Sequence, residues 1–251
     1  MRRFADKVVV ITGGGAGIGR VYATRFAAEG ASIVIADLDG DVGDRAVSEL
    51  RADGVPALAV QMDVVDDEAA AAMVARAVDE FSGVDVLVNN AGIHVHHAKP
   101  PITREGLAQW RRVLDVNVIG ALNCTIACRD SMRSRGGGVV LNQSSTAAWR
   151  TEAAYDVSKL ALNSLTAVLA GHLGADNIRV VGIAPGLVDS QAALDSLGEA
   201  GISALLDRQV IKRLGRMDDL ADTALFLCSE EASFITGATV VVDGGFSKKA
   251  F

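Results

Sequence analysis

Tyr155 and Lys159 stand four residues apart in the segment AYDVSKLAL, residues 154–162, of a chain with only two tyrosines and six lysines. The surrounding EAAYDVSKLALNSLTAVLAGHL carries helical periodicity, so the two side chains project from one face. A free phenol has a pKa of about 10 and is a poor base at neutral pH. A cation within about 4–6 Å lowers that value by about 1–3 units, because it favours the phenolate. The pair therefore reads as a centre that exchanges a proton with an alcohol. An ordinary surface pair on a helix is the plain alternative. Upstream, VVLNQSSTAAW puts Ser144 and Ser145 at the end of a strand. A hydroxyl there can donate to a carbonyl oxygen as charge develops on it, although serines in that position also simply begin loops.

A second chemical feature lies near the start. VVVITGGGAGIGR reads as a strand, a glycine turn and a helix start. Gly13, Gly17 and Gly19, with Ile18 between the last two, let backbone N–H groups approach a pyrophosphate at the helix N-terminus. A tight turn without a ligand would look similar. The next strand ends in IADLD. Asp37 falls where a carboxylate accepts hydrogen bonds from the adenosine ribose, and Leu38 offers no counter-charge to a 2′-phosphate. The expected cofactor is NAD, not NADP. A solvated loop aspartate is the alternative for Asp37, with Asp39 and Asp41 close by.

The elements that must hold these groups are short β-branched runs at 7–12, 32–37, 57–61, 85–90, 138–144, 178–184 and 239–243. They are nearly continuous apolar runs, as expected for strands buried on both faces. Helical patterns separate them, which predicts an α/β fold: a single-domain, Rossmann-like, doubly wound parallel sheet of about seven strands over residues 1–251. The stretch 187–213 has no strand pattern. It carries Leu187, Leu194, Leu197 and Leu205 and is expected as a mobile apolar loop that closes over the pocket.

Composition narrows the function classes. With 24 basic and 31 acidic residues the net charge is −7, and there is no long basic run, which argues against nucleic acid as a partner. No segment approaches the length of a membrane span, and the first apolar run is too short for a signal segment. Cys124, Cys128 and Cys228 form no CxxC pair and read as reduced core cysteines of a cytoplasmic protein. His94, His96 and His97 cluster, but no acidic or cysteine ligand lies beside them, so no metal is expected. His94 follows the fourth strand and is a candidate substrate contact. Trp149 is a candidate pocket wall, and Trp110 reads as core or pocket.

Taken in order, the motifs TGGGAGIG (12–19), MDV (62–64), NNAG (89–92), LDVNVIG around Asn117, the serine pair, YDVSK (155–159), IAPG (183–186) and ITGATVVVDGG resemble the short-chain dehydrogenase/reductase family. The match covers nearly the whole chain. The resemblance implies that Tyr155 is the acid/base, and that Lys159 lowers its pKa and binds the nicotinamide ribose. It implies that Ser145 holds the substrate oxygen, with Ser144 as the alternative, and that Asn117 fixes a water linking Lys159 to solvent. Asn89, Ala91 and Gly92 would line the cofactor site, Asp63 and Val64 would meet the adenine, and Pro185, Gly186 and Val188 would flank the nicotinamide. Ser190 would bind its carboxamide, and Leu187 would touch substrate. Ala16 stands where many NADP-dependent relatives carry a basic residue, which again implies NAD. The implied activity is interconversion of a secondary alcohol and its ketone, with cyclic alcohols, diols and hydroxysteroids as candidate substrates. A 3-oxoacyl-thioester reductase and a non-catalytic NAD-binding sensor or scaffold are the alternatives. A homotetramer is implied too, with helix 153–174 and the C-terminal segment as contacts.

Overall fold

A computed structural model describes residues 2–94, 100–150 and 152–247, without the side chains of residues 191–197, 199 and 200. His96 and His97 lie outside the described residues, as do the side chains of Leu194 and Leu197.

Seven strands form one parallel sheet: β1 (Val8–Thr12), β2 (Ser32–Asp37), β3 (Ala57–Gln61), β4 (Val86–Asn89), β5 (Gly138–Gln143), β6 (Ile178–Pro185) and β7 (Thr239–Val242). Their spatial order is β3-β2-β1-β4-β5-β6-β7, so the chain runs outward from β1 to one edge, then crosses back and runs to the other. Every predicted strand is present within a residue or two of its expected bounds. The reason is visible in the packing. Val9, Ile11, Ile33, Ile35, Val86 and Val88 face one way and join one apolar cluster. Their chain neighbours Val8, Val10, Val34, Leu87 and Val140 face the other way and join a second. Helices α1 (Gly17–Ala28), α2 (Gly40–Ala52) and α8 (Met217–Cys228) supply the first cluster. Helices α3 (Asp67–Phe81), α5 (Gly120–Ser134) and α6 (Ala154–Leu173) supply the second. Both layers thus need apolar residues at both parities of every strand.

Two elements differ from expectation. The stretch 187–213 is mostly helix: α7 spans Gln191–Arg208, broken by a non-helical Gly198. Its leucines carried no strand signal, and their spacing is helical, so the open-loop reading is corrected. The second difference lies between α4 (Leu107–Leu114) and α5, where Asp115–Ile119 form a π-helical turn. Such insertions re-aim side chains and are frequent at functional sites.

At the amino-terminal edge of the sheet, opposite the glycine turn, Asp85 is buried. Its carboxylate accepts from the Val8 N–H at 2.8 Å and from Arg135, with Lys7 at 3.4 Å. It ties the start of β1 to the start of β4 and the end of α5. Replacement of Asp85 by Ala should cost about 2–3 kcal/mol in urea denaturation, because buried donors lose their acceptor, while turnover per folded molecule is unchanged.

Candidate active site

The turn after β1 brings the first group of residues together. Gly13 has a left-handed backbone, with φ of +62°. At Gly19 a side chain has no room: a Cβ would run into the Gly13 carbonyl and the Asn90 amide. Asn90 Nδ2 donates to the carbonyls of Thr12 and Gly13 at 3.0 Å each, and so fixes the turn. Thr12 Oγ1 accepts from the N–H groups of Asn90 and Ala91 at 3.1 Å each.

Helix α1 begins at Gly17 with no side-chain cap and no acidic residue in its first turn. Helices α2 and α3, in contrast, are each capped by an aspartate, Asp39 and Asp66. The uncapped donors of α1, at the carboxyl edge of a parallel sheet, fit the pyrophosphate of a dinucleotide. Asp37 closes the turn from β2. One of its oxygens accepts from the Gly15 N–H at 3.0 Å and the other from the Asp39 N–H at 3.2 Å. Each oxygen keeps a lone pair for a further donor. Leu38 beside it is exposed and Ile18 packs on the core.

Further along the same edge, Asp63 accepts from Arg112 at 2.9 Å and from the Val65 N–H at 3.2 Å. Burial works to raise the Asp63 pKa, but these donors hold it below the usual carboxylate range. Val64 is buried, with Gly120 packed on its side chain. The Asn89 side chain turns away from the glycine turn. Its amide points into the core and donates to Ala121 O, Thr125 Oγ1 and Asn142 Oδ1 at 3.2, 3.2 and 2.9 Å. The neighbouring Asn90 is the asparagine at the glycine turn. Two adjacent asparagines at a strand end must face opposite ways, so the pleat decides between them.

The second group surrounds Tyr155. Tyr155 and Lys159 sit on the first turns of α6, and both are buried. Lys159 Nζ lies 5.5 Å from the Tyr155 ring centroid and donates to the Gln143 carbonyl at 2.7 Å. The Ser145 hydroxyl acts on the phenol, lowering its pKa, and accepts from the Ala147 N–H at 3.1 Å. The Ser144 hydroxyl instead donates to the Lys159 carbonyl at 3.3 Å. Only Ser145, of the two serines, thus shares the space in front of the phenol. His94 stacks against Tyr155 in a tilted arrangement, with ring centroids 5.7 Å apart. Trp149 closes the turn Thr146–Trp149 and is 37% exposed. Trp110 packs against the small cluster that includes Ala147, Ala154 and Tyr155.

Asn117 is presented by the π-helical turn. Its amide brackets Ile93, accepting from the N–H at 2.7 Å and donating to the carbonyl at 3.2 Å, and donates to Ser158 Oγ at 2.9 Å. Ser158 Oγ in turn donates to the Tyr155 carbonyl at 2.7 Å. A Cβ on Gly92 would lie 3.1 Å from Asn117 Oδ1 and 3.6 Å from Lys159 Nζ, so these two polar groups face the same small space. From β6, Pro185 ends the strand and Gly186 leaves no room for a side chain against Asp243. Val188 is buried and bridges to Gly215, Leu187 is half-buried beside it, and Ser190 precedes α7.

The acidity of the phenol departs from expectation. Burial is the largest influence on Tyr155 and pushes its pKa above the ordinary value. The Ser145 hydrogen bond and the Arg150 charge act in the opposite direction, and Asp156 adds to the rise. The Lys159 amine lies over the ring and bonds a carbonyl, not the phenol oxygen, so helical spacing alone did not deliver a contact. Burial also lowers Lys159, from 10.5 to about 8.

Gln143 and Ser158 carry parts of this network that sequence reading missed. Gln143 accepts from Tyr22 through its side chain at 2.6 Å and from Lys159 through its backbone. A carbonyl acceptor has no residue-type signal. Among the described residues, no three His, Cys, Asp or Glu side chains gather as a metal site. Cys124, Cys128 and Cys228 are buried thiols, with burial holding each pKa well above its usual value. No described helix is long and apolar enough to cross a membrane.

A sheet of this order, a glycine turn on the first strand and a Ser-Tyr-Lys group with its tyrosine and lysine buried define a nucleotide-dependent oxidoreductase class. Comparison with known proteins agrees. A family model described as enoyl-(acyl carrier protein) reductase matches residues 13–247. An uncharacterised oxidoreductase of Mycobacterium tuberculosis is 40% identical over 242 residues, covering 96% of this chain and 98% of the relative. A cis-4-hydroxycyclohexanecarboxylate dehydrogenase of Sinomonas cyclohexanicum is 36% identical, with 97% and 98% covered. The solved structure of a 7α-hydroxysteroid dehydrogenase with NADH and 7-oxoglycochenodeoxycholic acid superposes with a TM-score of 0.91 at 36% identity, covering 97% of this chain and 95% of that one. The chain belongs to the short-chain dehydrogenase/reductase family and is an oxidoreductase.

Burial of Lys159 has a consequence for stability. Its pKa is lower in the folded protein than in the unfolded chain, so the unfolded chain binds the proton more tightly. The contribution to stability is therefore present above about pH 10.5 and is lost as pH falls towards about 8. Lys159→Met should be more stable than the wild type near neutral pH by roughly 1–3 kcal/mol, with the difference closing towards about pH 10, as read by urea denaturation at both pH values.

Proposed function

We propose that the protein is an NAD-dependent dehydrogenase that interconverts a secondary alcohol, of the cyclic alcohol, diol or hydroxysteroid type, with its ketone. The observation that carries this reading is the convergence of the half-buried Ser145 with the buried Tyr155 and Lys159, whose Nζ lies 5.5 Å from the Tyr155 ring centroid. NAD, when bound, supplies a hydride acceptor and a positive charge on its nicotinamide ring. The start of α1 at Gly17, Ile18 and Gly19 would hold its pyrophosphate, and Asp37 its adenosine ribose. Asp63 and Val64 would meet the adenine, with Asp63 shared with Arg112. Asn90, Ala91 and Gly92 would line the middle of the site. Lys159 would reach the second ribose, and Pro185, Gly186, Val188 and Ser190 would flank the carboxamide. The Asp37 carboxylate repels a 2′-phosphate, and Leu38 adds no cation, which favours NAD over NADP.

In oxidation, Tyr155 takes the proton of the alcohol oxygen while the carbon gives up its hydride. Ser145 donates a hydrogen bond to that oxygen and holds it in reach of the phenol. The Lys159 ammonium sits within range of the ring and favours the phenolate, which burial opposes. Asn117 holds Ile93 and Ser158, and through them the loop after β4 and the first turn of α6. His94, Trp149, Leu187 and Trp110 would form the substrate walls. The 7α-hydroxysteroid and 4-hydroxycyclohexanecarboxylate relatives both act on ring alcohols by their names, which supports that substrate class.

A 3-oxoacyl-thioester reductase is the second reading; the matching family model, described as an enoyl-(acyl carrier protein) reductase, supports only the thioester-carried type of substrate. Asp37 weighs against it if NADPH is the reductant. Self-association is supported by exposed Val157, Leu160 and Val168 on α6 and Ile126 on α5, on the same side of the sheet. We propose a homotetramer, and one domain over the whole chain.

Tyr155→Phe should lose turnover by at least about 10²-fold with NAD and a panel of cyclic secondary alcohols, while NADH binding by fluorescence is retained. Wild-type-like turnover in that variant would overturn the role of Tyr155. Asp37→Ser combined with Leu38→Arg should move the kcat/KM ratio towards NADP by at least about 10-fold, since it removes a like charge and adds a counter-charge. An unchanged ratio would place the cofactor ribose elsewhere.

A further inference from the structure

Among the described residues Tyr22 is the largest side chain that is fully buried. It sits on α1, roughly one and a half turns below the helix start at Gly17. A buried phenol needs a hydrogen-bond partner. Tyr22 finds one in Gln143, donating to Oε1 at 2.6 Å. Glutamine offers more than that bond uses. With Oε1 taken by the phenol, Nε2 keeps two N–H donors. No described residue accepts from them, and Gln143 keeps 7% of its surface open.

The place of Gln143 in the sheet says what those donors face. It is the last residue of β5, at the carboxyl edge. Its neighbour Asn142 lies opposite Asn89 in the β4–β5 register, and these two turn towards α6 and α5. The next residues turn the other way, Asn90 to the glycine turn and Gln143 to α1. On its other flank Gln143 pairs with Ile183, two residues before Pro185. Its carbonyl holds Lys159 Nζ. The amide thus lies between the glycine turn and the reactive group, on the path a dinucleotide takes from one to the other. We infer that Gln143 is a cofactor-binding residue whose Nε2 donates to an oxygen of the nicotinamide half of NAD, and that Tyr22 is the residue that positions it. The inference rests on NAD lying along this edge, as proposed above. The phosphate, ribose and carboxamide oxygens of that half are all acceptors, so the amide must show them its nitrogen. The Tyr22 bond fixes that choice by drawing Oε1 towards the core. Helix α1 therefore serves the cofactor twice, with its first N–H groups and, through Tyr22, with the face of the amide it presents.

A pair that only satisfies the core predicts lost stability with unchanged cofactor affinity. The experiment compares Gln143→Met, Tyr22→Phe and the double variant with the wild type. Substitution at 143 leaves the backbone carbonyl that holds Lys159. The double variant removes both polar groups, so no buried group is left without its partner and the fold is kept. Three quantities are read: the dissociation constant of NADH by fluorescence, that of AMP by displacement of NADH, and the urea midpoint. AMP carries only the adenosine half, so it reports damage to the rest of the cofactor site.

The NADH dissociation constant should rise by about fivefold or more in Gln143→Met and in the double variant, with AMP within about twofold of wild type. Tyr22→Phe alone should weaken NADH by about two- to fivefold, because the amide remains but is free to turn. The double variant should bind NADH no more weakly than Gln143→Met, since Tyr22 acts only through the amide. If Gln143→Met does not fold, the double variant decides the matter. NADH affinity at the wild-type level in the double variant, or NADH and AMP weakened by the same factor, would overturn the role of Gln143. Wild-type NADH affinity in Tyr22→Phe would overturn the positioning role of Tyr22. Failure of the NAD reading itself is seen separately, as absence of NADH binding by the wild type.

Discussion

An amine kept out of water is the constraint on which this structure depends. Lys159 is almost wholly buried, and its Nζ donates to the carbonyl of Gln143 at 2.7 Å. That bond joins the first turns of α6 to the last residue of β5. The opposed pair in the other direction, Ser144 Oγ to the Lys159 carbonyl, closes the same junction. With α6 seated in this way, Tyr155 faces Ser145 at the carboxyl edge of the sheet. The glycine turn of β1 opens onto that same edge. A site of this kind is less stable than an apolar core of the same volume, because each unit of pKa displacement is about 1.4 kcal/mol of unfavourable charge burial.

The rest of the fold supplies rigidity to offset that cost. Strands buried on both faces are held by helices in two layers, so the carboxyl ends of β1, β4, β5 and β6 cannot move independently. The polar network follows the same logic. Thr12 and Asn90 bind the β1 turn to the loop after β4. Asn117 binds that loop to Ser158 and hence to the residue that carries the phenol. The insertion of a π-helical turn at Asp115–Ile119 gives Asn117 its aim. The two halves of the site are connected by hydrogen bonds to backbone atoms, which fix geometry without requiring further charge.

Much of this was legible in the sequence, and the reasons are specific. The seven strands were readable because apolar residues fill both parities, as at VVVIT and SIVIAD. Tyr155 and Lys159 were readable because an i, i+4 pair on a helix must share a face. What the sequence left open depended on tertiary contacts. Asn89 and Asn90 are chemically identical neighbours, and only the pleat of β4 tells which one turns to the glycines. Ser144 and Ser145 present the same difficulty at the end of β5. The acidity of Tyr155 could not be read from spacing, because burial is the largest influence on it and the Lys159 amine bonds a carbonyl, not the phenol oxygen. The π-helical turn has no composition signal, and the helix Gln191–Arg208 was obscured by its interruption at Gly198.

The central claim is that the phenol of Tyr155 and the hydroxyl of Ser145 jointly hold the oxygen that gains or loses the proton. A crystal structure of the protein with NADH and a cyclic ketone tests it most directly. The ketone oxygen should lie within hydrogen-bond distance of both hydroxyls, with the nicotinamide ring on the side of the glycine turn. A ketone bound with its oxygen away from Tyr155, or a phenol rotated out towards solvent in that complex, would contradict the account.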